Sequence, residues 1–264
     1  MHPVLFKIGN FEIHSYGLML AISFLIGIYW MMHRASKRNI NRNQVMDLSL
    51  IVVLCAIIGS RALYVVTHLE EFKGHWLDMI SPFQSSGQIG LAGLSMMGGI
   101  VLSVIAIVIF CRIKKINILV LCDVIAPVFG LGLFITRIGC FFNGCCFGKE
   151  CNLPWGVVFP LTSPAGYTLQ GQSLHPTQLY SSLYGLLIMV VILVLDRKRK
   201  FDGFLLSVFF MLYGIARFLI DYVRYYEESV QFSIFKSTFT INQAISFIMF
   251  LVGLVLFIIL RNRK

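Results

Sequence analysis

Seven stretches of this chain are apolar over about the length an α-helix needs to cross roughly 30 Å of hydrocarbon, and that repetition limits the possible folds more than anything else. They run approximately from Tyr16 to His33, Leu48 to Val66, Leu91 to Phe110, Ile118 to Ile138, Gln178 to Leu195, Phe204 to Tyr222, and Ile241 to Leu260. A bilayer offers the backbone no water, so each run is predicted to be a helix that satisfies its own peptide groups. With 58% hydrophobic residues, 13% charged residues and a mean hydropathy of +0.82 over 264 residues, too little polar surface remains to cover a water-soluble globule. The chain reads as an all-α integral membrane protein of about seven transmembrane helices. It forms a single polytopic domain over residues 1–264, with no internal repeat, low-complexity tract or heptad pattern.

The net charge of +10 points to no nucleic-acid partner here, because the placement of the cations matters more than their sum. Four segments hold Arg34, Lys37, Arg38 and Arg42; Arg112, Lys114 and Lys115; Arg197 to Lys200; and Arg261, Arg263 and Lys264. Together they carry 14 of the 22 basic residues. The positive-inside rule puts these four in the cytoplasm, the N-terminus outside and the C-terminus inside. The alternate segments carry Glu70, Glu71 and Asp78, then a cysteine-rich stretch, then Glu227 and Glu228. The long first span, without a basic leader or a small-residue cleavage site, is expected to stay as an anchor.

Ionisable and special residues gather toward the predicted outer side. Tyr16 opens the first span, where an aromatic-belt anchor is the plain reading. Arg61 lies about one and a half turns below the outer surface, so it either snorkels or faces a polar interior. The outer loop from Thr67 to Gly90, with Trp76 and Phe83, fits an interfacial helix or a lid. Gly90, Gly93, Ser95, Gly98 and Gly99 open the third span and suit either close helix packing, preferred on spacing, or a ligand near the backbone. The fourth span carries Asp123 near the inside and Pro127 at its centre, where a kink is expected, and delivers Arg137 to the outer boundary. The dense motif RIGCFFNGCCFG follows, from Arg137 to Gly148, then a structured outer loop rich in proline and glycine that ends at His175. A helix start after His175 can favour an anionic ligand. In the sixth span Tyr213, Arg217, Asp221 and Arg224 recur on one helical face, where Arg217 and Asp221 can neutralise each other.

Several arginines at one membrane depth suit a phosphate, because the guanidinium fork matches two phosphate oxygens and stays charged. An outer-leaflet phospholipid headgroup is the natural candidate. At these residues the chain resembles the prolipoprotein diacylglyceryl transferase family. The matching pieces are IHSYGLM (14–20), GSRALYV (59–65), SMMGGI (95–100), RIGCFFNG (137–144), PWGVVFP (154–160), HPTQLY (175–180) and YGIARFLIDYVR (213–224). The resemblance implies a multi-pass enzyme of the bacterial plasma (inner) membrane. Such an enzyme moves diacylglyceryl from phosphatidylglycerol to the lipobox cysteine thiol at a prolipoprotein signal peptide and releases glycerol phosphate. It implies no metal or organic cofactor. It also implies that Arg137 and Arg217 hold the phosphate, that Tyr16 and Tyr213 shape the pocket, and that Gly148 closes the motif's turn. His175 is a candidate base, though orienting its helix or bonding its own loop would serve equally. Arg61, Arg224, Asn143 and Asp221 complete the expected phospholipid site.

The chain departs from the family's pattern where proton transfer is expected. Met97 stands for a histidine, Cys140 for an asparagine, and Cys145 and Ser181 for acidic residues, while Asp221 stands for glutamate. These losses leave open a paralogue that uses the scaffold on another lipid or acceptor. For Cys140, Cys145, Cys146 and Cys151, three states remain open: structural disulfides, free or reactive thiols, or a metal site with His175, although CCxxxxC has no recognised zinc spacing. A membrane thiol-disulfide oxidoreductase using Cys145 and Cys146 is a further alternative, set against the strain of a vicinal ring. A transporter fits poorly, because the ionisable residues cluster at one face. Cys55, Cys111 and Cys122 read as ordinary buried thiols.

Overall fold

The structure is a computed structural model that describes residues 4–8, 11–72, 75–79, 93, 95–226, 231–234 and 237–263. Seven of its helices are long and apolar enough to cross a membrane. They are α1 (Ser15–Ser36), α2 (Arg42–Thr67), α3 (Met96–Ile113), α4 (Ile118–Asn143), α6 (Thr177–Asp196), α7 (Phe204–Asp221) and α8 (Ile241–Asn262); the short α5 (Pro164–Thr168) lies between α4 and α6. Large apolar side chains such as Leu25, Leu50, Leu183 and Ile248 stay exposed along these helices. Lipid tails would cover such surfaces without cost.

Three boundaries differ from the sequence expectation. α2 begins one and a half turns before Leu48, because the Asn41 side chain accepts a hydrogen bond from the Asn43 amide (2.9 Å) and caps the helix there. α3 starts at Met96, after Ser95 in extended conformation. α4 continues past Ile138 to Asn143, so Arg137 lies more than a turn inside the helix and not at its end. Pro127, fully buried, lies within this same helix. Three small antiparallel strand pairs were not foreseen: β1 (Val4–Ile8) with β2 (Phe11–His14), β3 (Val157–Val158) with β4 (Ser173–Leu174), and β5 (Gln231–Ile234) with β6 (Ser237–Thr240). Of the Thr67–Gly90 loop, two 3-10 turns are seen, Leu69–Phe72 and Trp76–Met79. Phe83 and Gly90, like Glu227 and Glu228, lie outside the described residues.

The chain divides into two compact units, Met1–Arg34 with Leu119–Lys264, and Ala35–Ile118. In the second unit α2 and α3 meet at paired glycines. A Cβ on Gly59 would lie 2.5 Å from the Gly98 carbonyl oxygen, and one on Gly98 would lie 2.2 Å from that of Gly59. The packing reading of the third-span glycines therefore holds at Gly98, where the absent side chain lets two backbones touch. In the first unit Gly130 on α4 faces Gly185 on α6, while Gly214 on α7 lies against Ser246 and Phe250 of α8 and Gly253 on α8 lies against Ser207 and Met211 of α7.

At the basic end of the first unit, polar groups tie the helices. Asp123, buried, accepts from the Gly203 and Leu206 amides at the start of α7 (2.9 and 3.0 Å) and pairs with Arg199 (3.0 Å). Arg34 pairs with Asp196 at 3.0 Å. Between these ties and the site, Ala126, Ile188, Ile192, Leu205 and Phe209 form a buried apolar core. Gly59→Val is expected to lower stability in detergent by about 1–3 kcal/mol, because backbone cannot yield as a side chain can. Gly132→Ala, whose new methyl would meet Ser23 Oγ at an ordinary 3.5 Å, is expected to stay within about 0.5 kcal/mol. Thermal unfolding of both variants in one detergent checks the difference.

Candidate functional site

α4 ends in a glycine-dependent turn that shapes everything around it. The Gly144 amide bonds to the Phe141 carbonyl and the Cys145 amide to the Cys140 carbonyl, each at 3.2 Å, with Gly144 at φ +71°. This 5→2 and 6→1 pattern is a Schellman stop, which needs a left-handed residue just past the helix. Gly144 thus closes the motif's turn, a role expected of Gly148. Gly148 instead lies where two strands pass close by: a Cβ there would meet His175 Cβ at 2.5 Å and the Val223 oxygen at 2.7 Å.

The first residues of α6 clamp the turn. Thr177 Oγ1 donates to the Cys146 carbonyl and Gln178 Nε2 to the Cys145 carbonyl, both at 2.8 Å. The following segment is held on both sides. The Gly148 amide bonds to the His175 carbonyl (3.0 Å), the Lys149 amide to that of Val223 (2.8 Å), and the Tyr225 amide to that of Phe147 (3.2 Å). HPTQLY, the cysteine motif and the chain just after α7 are thereby one hydrogen-bonded assembly. Gly139, on the other face of α4, lets α1 approach, since a Cβ there would lie 2.8 Å from Met19 Cβ and 3.4 Å from Tyr16 Cα. Tyr16, about one-third exposed, comes within electrostatic reach of Arg137 and the three cysteines of the turn.

Three of the expected arginines converge here. Arg137 and Arg224 both lie within electrostatic reach of Cys146; Arg137 and Arg217 both do so of Tyr184; Arg217 and Arg224 both do so of Tyr226. Their partners differ. Arg217 pairs with Asp221 (2.5 Å) and donates to the Tyr226 hydroxyl (2.6 Å), which donates in turn to Asp221 (2.6 Å). The second Asp221 oxygen accepts from Thr240, which also caps α8. The neutralisation of Arg217 by Asp221 is therefore present. Among the described residues Arg137, half-buried, makes no ion pair or hydrogen bond, and Arg224 makes no ion pair but stacks over the Tyr226 ring at 5.3 Å. Tyr213 stacks on Phe209 and meets Tyr184 edge-on. The buried Tyr184 hydroxyl lies beside Ser181 without a hydrogen bond of good geometry.

A sequence model of the family described as "Prolipoprotein diacylglyceryl transferase" matches residues 3–259. The chain belongs to the prolipoprotein diacylglyceryl transferase family. It is 32% identical to phosphatidylglycerol--prolipoprotein diacylglyceryl transferase 1 of Clostridium perfringens, over all of this chain and 96% of the relative. It is 29% identical to the enzyme of the same name from Clostridium tetani over the full length of both. The Geobacter sulfurreducens enzyme is 31% identical over 99% of this chain and 96% of its own. With its seven apolar helices, this family member is a multi-pass protein of the bacterial plasma membrane.

The remaining expected site residues fall in distinct settings. Asn143 ends α4 beside Cys145. His175 is half-buried, with Nδ1 3.4 Å from the Tyr180 hydroxyl, which also accepts from the Trp155 indole at 2.7 Å. This partner belongs to α6 and not to the loop that precedes it. Arg61 belongs to the second unit, where it is buried, donates to the Met79 and Gly93 carbonyls (2.9 and 3.1 Å) and lies over the Phe72 ring at 5.1 Å. Met97 is exposed at the start of α3, and Ser181 is buried on α6. None of the seven cysteines forms a disulfide, and the sulfurs of Cys140, Cys145 and Cys146 lie within 4.8 Å of one another. Cys111 is buried, whereas Cys55 and Cys122 are only partly so.

Tyr226, Tyr184 and the Thr177–Gln178 pair were not singled out by sequence reasoning. Tyr184 lies one turn after Tyr180 on α6, a spacing that could have marked it; Tyr226 lies beyond α7, where no periodicity reaches.

Hydrogen bonds from Cys140 and then Cys145, aided by Arg224 and Arg137, hold the Cys146 thiol well below the usual range against its burial. Burial and the bond to Asp221 push the Tyr226 phenol above its ordinary 10.0, against the pull of Arg224 and Arg217. The stabilisation linked to Tyr226 is thus fully present below pH 10 and disappears as pH rises through the higher folded-state value. Alkaline unfolding above about pH 10 is expected to be partly relieved in Tyr226→Phe, as read by thermal unfolding at a series of pH values. Gly144→Ala forces a side chain into a left-handed position, 2.6 Å from Ser163 Cβ. It is expected to cost more than about 1 kcal/mol on the same measurement.

Proposed function

We infer that this protein transfers diacylglyceryl from phosphatidylglycerol to the lipobox cysteine thiol of prolipoproteins and releases glycerol phosphate. Family membership over the whole chain supports the reaction class, and the relatives' names supply both substrates. The observation that carries the reading at the residue level is Arg137. It is a guanidinium set within a membrane helix, without a carboxylate or hydrogen-bond partner among the described residues. A cation left uncompensated among apolar helices is unfavourable unless an anion joins it, and a phospholipid phosphate has the charge and the paired oxygens it needs.

In this reading Arg137 and Arg224 supply the net positive charge, and Arg217, fixed by Asp221 and Tyr226, orients the phosphate from the side. Tyr16, Tyr213, Asn143 and Gly148 shape the walls. Arg61 fixes the carbonyls of the loop in its own unit. The acceptor sulfur attacks the glyceryl carbon, the carbon–sulfur bond forms, and the carbon–oxygen bond breaks, its electron pair leaving on the phosphate. The arginines stabilise that developing charge, an effect worth about 100- to 1,000-fold for one well-placed donor. The thiol proton leaves toward His175, whose second ring nitrogen is unbonded among the described residues. The site end of the helices faces the outer side, as the basic segments at the other end would require.

The absence of the family's histidine and acidic residues at Met97, Cys145 and Ser181 favours one second reading, a paralogue that takes a different acceptor or lipid. Purified protein given phosphatidylglycerol and a lipobox peptide is expected to yield diacylglyceryl peptide. Arg137→Ala should lower the rate by at least about 100-fold while the unfolding temperature is unchanged. A folded preparation without turnover rejects the reading, and rescue of a strain depleted of its own transferase rejects the paralogue.

A further inference from the structure

We propose that Cys140, Cys145 and Cys146 form a binding site for one soft, thiophilic metal cation of the Zn(II) class, with a fourth coordination position left for water or an incoming thiol. Their three sulfurs lie within 4.8 Å of one another. Four-coordinate zinc with Zn–S bonds of about 2.3 Å holds neighbouring sulfurs about 3.8 Å apart, so small side-chain rotations bring all three into bonding range. His175 and Cys151, which the metal alternative in the sequence included, are not part of this group.

The convergence comes from the backbone. A Schellman stop places the side chain two residues past the helix end against the one three residues before it. Here those side chains are Cys145 and Cys140, and Cys145 Sγ in fact points to the Cys140 carbonyl at 3.8 Å. Cys146 adopts φ +58°, unusual outside glycine, and this turns the third thiol back toward the other two. Thr177 and Gln178 hold the carbonyls of Cys146 and Cys145, so the donors are fixed before any ion arrives.

The electrostatics suit the same ligand. Metal binding needs thiolates, and cationic neighbours favour them. Arg137 and Arg224 both act on Cys146, and their two positive charges exceed the single net negative charge of a divalent cation bound by three thiolates, so a phosphate can still join them. A disulfide would use two of the sulfurs and leave the third unexplained, and a ring between adjacent Cys145 and Cys146 is strained. Metal binding requires neither phospholipid nor acceptor, so it stands or falls separately from the transferase reading.

The test uses the full-length protein in detergent, fully reduced and then freed of reductant under anaerobic conditions. Titration with Cd(II), whose thiolate charge-transfer band reports sulfur coordination, is expected to saturate at about one equivalent per chain, the capacity of one three-thiolate site. The same is expected when Cys55, Cys111, Cys122 and Cys151 are all changed to serine. Cys140→Ser, Cys145→Ser and Cys146→Ser should each weaken binding by about tenfold or more. Because such variants can misfold, a second measurement uses the unaltered chain: Zn(II) should protect Cys140, Cys145 and Cys146 from alkylation, as read by mass spectrometry. Absence of a Cd(II) band in the reduced protein, a band that survives removal of all three thiols, or unchanged alkylation with Zn(II) would overturn the proposal.

Discussion

Two hydrogen bonds from the start of α6 to the end of α4 hold the site together. Thr177 and Gln178 take the carbonyls of Cys146 and Cys145 in the turn just past that helix, and both of these side chains are buried. Away from water an orphaned carbonyl is costly, so the clamp satisfies a need set by the membrane as well as fixing a position. From that fixed turn the chain runs between His175 and Val223, and this brings Arg224 to the same place as Arg137. The glycines of α4 divide the work: Gly130 admits α6, Gly139 admits α1, and Gly144 stops the helix.

The charges at this end are arranged unequally. Asp221 is taken up by Arg217, Tyr226 and Thr240, which locks α7 to the start of α8. What remains is positive and aimed at no carboxylate among the described residues. At the basic end the balance is the reverse: Asp123 is saturated by two amides and Arg199, and Arg34 has Asp196. The scaffold thus neutralises charge where it needs only cohesion and leaves it open where an anion is to bind.

The seven spans were legible because each is apolar over its own length, and no tertiary contact is needed to see that. The end of α4 was misplaced because two glycines compete as stop signals. Gly139 serves helix packing and Gly144 the stop, and the approach of α1 to the first and the positive φ of the second distinguish them. The arginines and HPTQLY were visible as motifs, but the pairing of Arg217 through Tyr226 depends on a chain reversal after α7. The meeting of three thiols was hidden for a related reason. Cys140 and Cys145 are five residues apart, a spacing that means nothing in a helix and becomes a contact only across a Schellman stop.

The central claim is that Arg137 is left uncompensated so that a phospholipid phosphate can complete it. An experimental structure of the protein in phosphatidylglycerol-containing lipid, at a resolution that defines the headgroup, tests this most directly. The account expects phosphate oxygens within hydrogen-bonding distance of the Arg137 guanidinium while the Arg217–Asp221 pair stays closed. A headgroup bound away from Arg137, or an Arg137 paired with a protein carboxylate, would contradict it.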